Sequence, residues 1–188
     1  MELVSEAIAF AVKAHDGMRR KKSEAPYILH PMEAAVIVGT MTDDQELIAA
    51  AALHDVVEDT DITIEEIEEK FGKRVRELVE AETEDKRADL PPEETWRIRK
   101  EESLEVLKNS DDDVLMLWLG DKLANMRSIY REFKIEGEAM WQRFNQKDPA
   151  LQAWYYSSIV KLTDRLSDTS AWLEYKTLTE LVFEKEKI

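Results

Sequence analysis

Apolar residues recur every three or four positions along nearly the whole chain, the spacing of a helix with one buried face. No segment alternates with the period of two that a half-buried strand requires. The pattern predicts a first helix from Leu3 to about Asp16, ended by Gly17, and a second from Met32 to about Thr40 with Pro31 at its start. Thr42-Asp43-Asp44-Gln45 reads as a capping box that opens the helix carrying His54. Thr63-Ile64-Glu65-Glu66 reads as another, opening a short helix closed by Gly72, and a further helix covers about Lys73 to Thr83. Pro91-Pro92 starts a polar helix over Glu93 to Lys108. Ser110 or Asp111 caps the next, where Val114 to Leu119 is apolar on every side and marks a central helix. Asp148-Pro149 opens a helix to about Leu166, and Ser170 caps a last one, about 170–186, with Trp172, Tyr175, Leu178 and Val182 at helical spacing. The expected fold is all-α, about nine or ten helices in a single domain over residues 1–188.

Composition agrees with this picture and narrows it. Five glycines and five prolines in 188 residues suit a compact helical chain. No cysteine is present, which removes disulfides and thiolate metal sites. No run approaches the roughly 18 apolar residues of a membrane span, and the start, Met1 to Glu6, lacks the pattern of a signal peptide. A soluble cytoplasmic protein is expected. The net charge of −15 disfavours nucleic acid and anionic membrane as partners. A small anionic ligand stays open where a cation or a basic cluster reverses the field, and Arg19-Arg20-Lys21-Lys22 is such a cluster.

The candidate chemistry begins at the end of the apolar run Leu47 to Ala52, where Leu53-His54-Asp55-Val56-Val57-Glu58-Asp59-Thr60 follows. On a helix His54 and Glu58 lie one turn apart, as do Asp55 and Asp59, so four ionisable groups crowd one end of a buried element. Burial of such groups is costly without partners, and a metal ion is the most economical partner. Two further residues complete a set. His30 stands in Pro26-Tyr27-Ile28-Leu29-His30-Pro31, and Asp121 directly follows the apolar run of the central helix, with Asn125 one turn later on the same face. His30, His54, Asp55 and Asp121 form a two-imidazole, two-carboxylate set that suits Mn²⁺, Fe²⁺, Zn²⁺ or Mg²⁺. An open coordination position would hold a water and lower its pKa, with Glu58 and Asp59 placed to orient or deprotonate it.

The order His30, His54-Asp55, Asp121 resembles the H…HD…D pattern of the HD-domain metal-dependent phosphohydrolases. The phrases from Ala14 to Lys21, Pro26 to Pro31, Ala52 to Thr60 and Gly120 to Arg127 resemble the Rel/SpoT hydrolase type, and in particular its stand-alone small alarmone hydrolases, over about residues 3–166. The resemblance implies hydrolysis of the 3′-diphosphate of guanosine tetra- or pentaphosphate, (p)ppGpp, to GDP or GTP and pyrophosphate, usually with Mn²⁺. It implies that His30, His54, Asp55 and Asp121 are metal ligands and that Glu58 and Asp59 are the catalytic pair. It assigns Arg20, Lys21, Asn125 and Tyr155 to the nucleotide, with Tyr156 as the alternative to Tyr155. It gives His15 no ligand role. Synthesis of the alarmone is not expected, because the chain is too short for the synthetase domain of the bifunctional relatives.

Ala124 departs from the pattern, since relatives often carry a larger residue there. That keeps open an HD-type phosphatase acting on another nucleotide, such as the 2′-phosphate of NADPH. A catalytically silent alarmone sensor is the alternative outside enzymes, and the presence of Glu58 and Asp59 argues against it.

Overall fold

A computed structural model describes residues 2–20, 24–85, 87 and 89–184. Among the described residues there are helices and turns but no strand, only an isolated bridge between Arg19 and Pro26. In chain order the α-helices are α1 Leu3–Ala14, α2 Leu29–Val38, α3 Gln45–Leu53, α4 Val56–Asp59 and α5 Ile64–Phe71. There follow α6 Lys73–Glu82, α7 Pro92–Lys108, α8 Asp112–Glu136, α9 Pro149–Leu162 and α10 Ser170–Phe183. Short 3-10 helices cover Gly137–Arg143 and Asp164–Leu166. None of the helices is long and apolar enough to cross a membrane. The all-α expectation holds.

Local chemistry sets most of the boundaries. Thr63 and Glu66 form the expected reciprocal box, with Thr63 N–H donating to Glu66 Oε2 at 2.8 Å and Glu66 N–H to Thr63 Oγ1 at 3.3 Å. At the start of α3 the cap is Asp44 rather than Thr42. Its carboxylate accepts from the Glu46 and Leu47 N–H groups, while Thr42 Oγ1 takes the N–H of Asp44. Asp111 caps α8, and Thr169, not Ser170, caps α10. The second helix begins earlier than expected, at Leu29, so that His30 sits in its first turn; Pro31 is still inside the turn where a missing N–H costs nothing.

The core forms two clusters that meet along α8. One surrounds α3, whose Ala49 to Leu53 are fully buried among α1, α2, α5 and α6. The other gathers α7, α9 and α10. Within the apolar run of α8, Leu117 belongs to the first cluster and Leu115, Trp118 and Leu119 to the second, which is why that run has no polar side. The helix is central, as its pattern predicts. Arg127 on α8 holds α2 and α10 together by donating to Glu33 at 3.2 Å and to both oxygens of Glu174 at 2.7 and 2.6 Å.

α8 packs tightly against α2 at Gly120, immediately before Asp121. A Cβ there would stand 2.6 Å from Val38 Cγ2 and 3.1 Å from the Ala34 carbonyl oxygen. Neither a β-branched side chain nor backbone yields readily. Gly120→Ala is expected to destabilise the protein by about 1–3 kcal/mol. The check is thermal unfolding, which should show a fall of several degrees; an unchanged Tm would mean that α2 and α8 separate freely.

Candidate metal centre

Three elements meet at one point: the first turn of α2 with His30, the turn between α3 and α4 with His54 and Asp55, and the middle of α8 with Asp121. The helix expected to carry His54 ends at Leu53. His54 and Asp55 keep right-handed helical angles through the turn into α4, and the Asp59 N–H donates to the Asp55 carbonyl at 2.9 Å, so the one-turn spacing of Asp55 and Asp59 survives.

His30, His54 and Asp121 are buried, and one donor atom from each lies within 4.8 Å of the others. His30 Nε2 is 2.9 Å from Asp121 Oδ1 and 3.5 Å from Asp55 Oδ2. His54 Nε2 is 3.3 Å from Asp55 Oδ2 and 3.6 Å from Asp121 Oδ1, yet it makes no hydrogen bond to either. Its Nδ1–H donates to the Ala51 carbonyl at 2.8 Å. That bond fixes the ring and turns Nε2 to the centre, the arrangement in which a histidine serves a metal. A buried nitrogen without a hydrogen bond, facing two carboxylates and a second imidazole, fits a divalent cation.

The electrostatics carry the same signature. Burial works against the charged form of His54, but Asp55 and Asp121 outweigh it and hold the imidazole well above its ordinary pKa. Burial likewise opposes charge on Asp55, and His54 and His30 keep it below the carboxylate range against repulsion from Asp121. Asp121 is held low against burial by Lys122, His30 and His54. The buried Asp121 and the half-buried Asp55 therefore depend on positive charge, which a divalent ion would supply in place of a proton on His54.

The remaining expected residues fall into three groups. Glu58 and Asp59 lie on α4 beside the centre and are partly accessible. Arg20 and Asn125 are brought together across 105 positions: the guanidinium donates to Asn125 Oδ1 at 3.1 Å, and Asn125 Nδ2 donates to Asp121 Oδ1 at 2.6 Å. Tyr155 is a core residue, 3% exposed, with its ring packed on Trp96 and Tyr156 and its hydroxyl buried without a hydrogen-bond partner. Lys21 lies outside the described residues. Ala124 is 1% exposed within the second core cluster, so a larger residue there would meet the core first.

Three residues at the centre were not singled out from the sequence. The Tyr27 hydroxyl lies 2.7 Å from Asp55 Oδ2 and 2.6 Å from Asp59 Oδ2. Burial and these two carboxylates push its pKa far up. Lys122 pairs with Asp121, lies 3.7 Å from Glu82, and packs over the Trp118 ring. Glu82, at the end of α6, is buried with no hydrogen bond to either oxygen; burial, then the Asp121 charge, pushes it up to about 8. The signal for Tyr27 was its place in the phrase that carries His30. Nothing in the sequence distinguished Glu82 from the exposed acids of the same helix.

Behind Glu82, a cavity of about 100 Å³ is lined by Glu84, Arg99, Ser103 and Trp118 among others. Glu84 accepts from Lys100 at 2.5 Å, Arg99 at 2.8 Å and Ser103 at 2.9 Å, and Lys100 Nζ stands 4.9 Å from the Tyr155 ring centroid. Burial opposes the Glu84 charge, but Lys100 dominates with these bonds and lowers the pKa from 4.5 to about 2. A carboxylate that binds its proton less readily in the folded state contributes stability above pH 4.5, and that contribution disappears as pH falls toward 2. The difference corresponds to roughly 3 kcal/mol. Glu84→Gln should therefore lower the Tm most above pH 5 and progressively less in acid, as differential scanning calorimetry across pH would record. A gap that widens in acid would contradict this account.

The HD domain sequence profile matches residues 7–150. This chain belongs to the HD domain family. Among curated relatives of this HD domain, it is 39% identical over 135 residues to the guanosine-3′,5′-bis(diphosphate) 3′-pyrophosphohydrolase of Aquifex aeolicus, covering 71% of this chain and 19% of that one. It is 36% identical over 127 residues to the GTP pyrophosphokinase rsh of Brucella ovis, covering 68% of this chain and 17% of that one. The chain thus spans under a fifth of the length of these relatives. Solved structures are closer in size. Lmo0812 from Listeria monocytogenes EGD-e matches with a TM-score of 0.73 and 30% identity over 83% of this HD domain chain and 99% of that one. A metazoan ortholog of SpoT, which hydrolyzes ppGpp and plays a role in starvation responses, matches with a TM-score of 0.76 and 27% identity over 96% of each chain.

Proposed function

We propose that this HD domain is a metal-dependent (p)ppGpp hydrolase that removes the 3′-diphosphate to leave GDP or GTP and pyrophosphate. The observation that carries this reading is the convergence of His30, His54 and Asp121 from three separated segments, with the Asp55 carboxylate beside both imidazoles and the His54 Nε2 buried and free of hydrogen bonds. The relatives named for ppGpp hydrolysis supply the substrate class. Mn²⁺ is the ion of this proposal, with the four residues as its ligands, and the cytoplasm is the location.

A bound divalent ion would act as a Lewis acid, neutralising phosphate charge and making a water a better nucleophile. The protein's own groups do the rest. Glu58 and Asp59, accessible beside the centre, orient the attacking water and receive its proton. Arg20 opposes the phosphate charge, and its bond to Asn125 holds it close to Asp121 in a chain that is otherwise strongly acidic. Tyr155 keeps its place in this proposal as the pocket tyrosine, and its hydroxyl, buried without a hydrogen-bond partner, would meet the nucleotide only if the surrounding side chains part. Lys21, the next basic residue in the sequence, is assigned to the nucleotide in this proposal.

The deciding experiment is turnover of ppGpp by the purified chain with Mn²⁺ and with chelator, the products being identified by chromatography and phosphorus NMR. Mn²⁺-dependent release of pyrophosphate supports the reading. Release of orthophosphate alone, or turnover of NADPH but not ppGpp in the same preparation, would replace it. Binding of ppGpp without turnover would identify a sensor.

A further inference from the structure

Asp55 and Asp59 have different proposed tasks, one holding a cation and the other accepting a proton, yet a single phenolic oxygen touches both. The backbone places them one turn apart but does not by itself set the distance between their carboxylates. The Tyr27 hydroxyl links the two directly, since it lies at hydrogen-bond distance from the Oδ2 atom of each. The phenol has one proton and serves one carboxylate at a time. When the Asp55 charge is taken up by a cation, Asp59 is the stronger acceptor, and the proton belongs to that bond.

Tyr27 is half-buried and held by several contacts. Its N–H donates to the Met18 carbonyl at 3.0 Å, and its carbonyl accepts from His30 N–H at 3.0 Å. Its ring stacks on His15 with centroids 5.1 Å apart and planes 21° apart, and His15 is anchored through Nδ1 to the Ala11 carbonyl at 3.0 Å. The Arg20 guanidinium lies 5.6 Å from the ring centroid. A ring fixed in this way aims its hydroxyl without freedom to follow the carboxylates, so the carboxylates follow it. His15, with no ligand role, has a task of its own as the stacking support.

We propose that Tyr27 is a positioning residue that sets the Asp59 carboxylate at a fixed distance from Asp55, so that the proton acceptor and the cation-holding carboxylate move as one unit. The inference rests on the hydrolase reading above for the task of Asp59, and on geometry alone for the link to Asp55.

Tyr27→Phe keeps the ring and its stack and deletes only the two hydroxyl contacts. It should unfold cooperatively in chelator, like the parent. Calorimetric titration should show Mn²⁺ binding weakened about 10-fold, the lower end for an outer-shell partner. With Mn²⁺ saturating, kcat on ppGpp should fall about 10–100-fold while KM stays within about threefold. The double variant Tyr27→Phe with Asp59→Asn should be no slower than Asp59→Asn alone, because Tyr27 acts through Asp59. A merely structural role would multiply the two losses instead. A kcat within twofold of the parent, or multiplicative losses, overturns the proposal. If the parent does not turn over ppGpp, the substrate reading has failed by itself, and the Mn²⁺ titration still decides: affinity unchanged in Tyr27→Phe overturns the link to Asp55.

Discussion

Replacement of His54 by alanine is expected to abolish tight Mn²⁺ binding and to reduce ppGpp turnover by about 10³-fold or more. Outer partners of a metal typically contribute roughly 10–100-fold in affinity or activity, and His54 is closer than an outer partner. Its Nε2 faces both Asp55 and Asp121, with its other nitrogen committed to the Ala51 carbonyl. Alanine takes one of the two imidazoles away from those carboxylates and leaves His30 as the imidazole between them. Removing one partner from a buried charged set costs on the order of 3–5 kcal/mol, so the metal-free variant should also melt below the metal-free parent. Mn²⁺ binding is read by calorimetry or by the electron paramagnetic resonance of free Mn²⁺, and folding by circular dichroism. A folded His54→Ala protein that binds Mn²⁺ with parental affinity would remove His54 from the centre. Full activity in chelator would remove the metal from the mechanism.

Asp59→Asn should produce the second large effect by a different route. The substitution preserves size and removes the negative charge that accepts a proton. General-base removal costs about 10²–10⁴ in kcat, and a loss in that range is expected at saturating Mn²⁺. Mn²⁺ affinity should change far less than in His54→Ala, because Asp59 is not one of the four proposed ligands and touches Asp55 through the shared Tyr27 hydroxyl. The contrast between the two variants is the informative quantity: one loses the ion, the other keeps it and loses the chemistry. If Asp59→Asn retained parental kcat, proton acceptance would fall to Glu58, which lies on the same turn.

How much was legible in advance depends on the range of the interaction concerned. Thr63 and Glu66 are three residues apart, and their reciprocal bonds are written in the local order of side chains. At the start of α3, three capping residues stand in a row; Asp44 takes the first N–H groups of the helix, and Thr42 accepts from the Asp44 N–H instead. The short helix Gly137–Arg143 was not anticipated, as 3-10 turns carry little periodic signal. His30, His54, Asp55 and Asp121 were legible as a set because their chemistry is too costly to bury singly, and the structure brings all four within contact of one another's neighbours.

The sequence by itself determined the helical class, most caps and the central place of the Val114 to Leu119 run, and it singled out the candidate donor set proposed above. Each of these follows from contiguous residues: periodicity chooses the helix, side-chain oxygens satisfy its first N–H groups, and buried ionisable groups require partners wherever they end up. Only the tertiary structure decided which helix faces meet. It turned Ala124 into the core, placed the Tyr155 ring over Lys100, buried Glu82 against Lys122, and aimed the Tyr27 hydroxyl at two carboxylates. Those contacts join segments far apart in the chain, so they depend on how whole helices pack. Packing follows the combined apolar surface of every element, which no single phrase of the sequence contains.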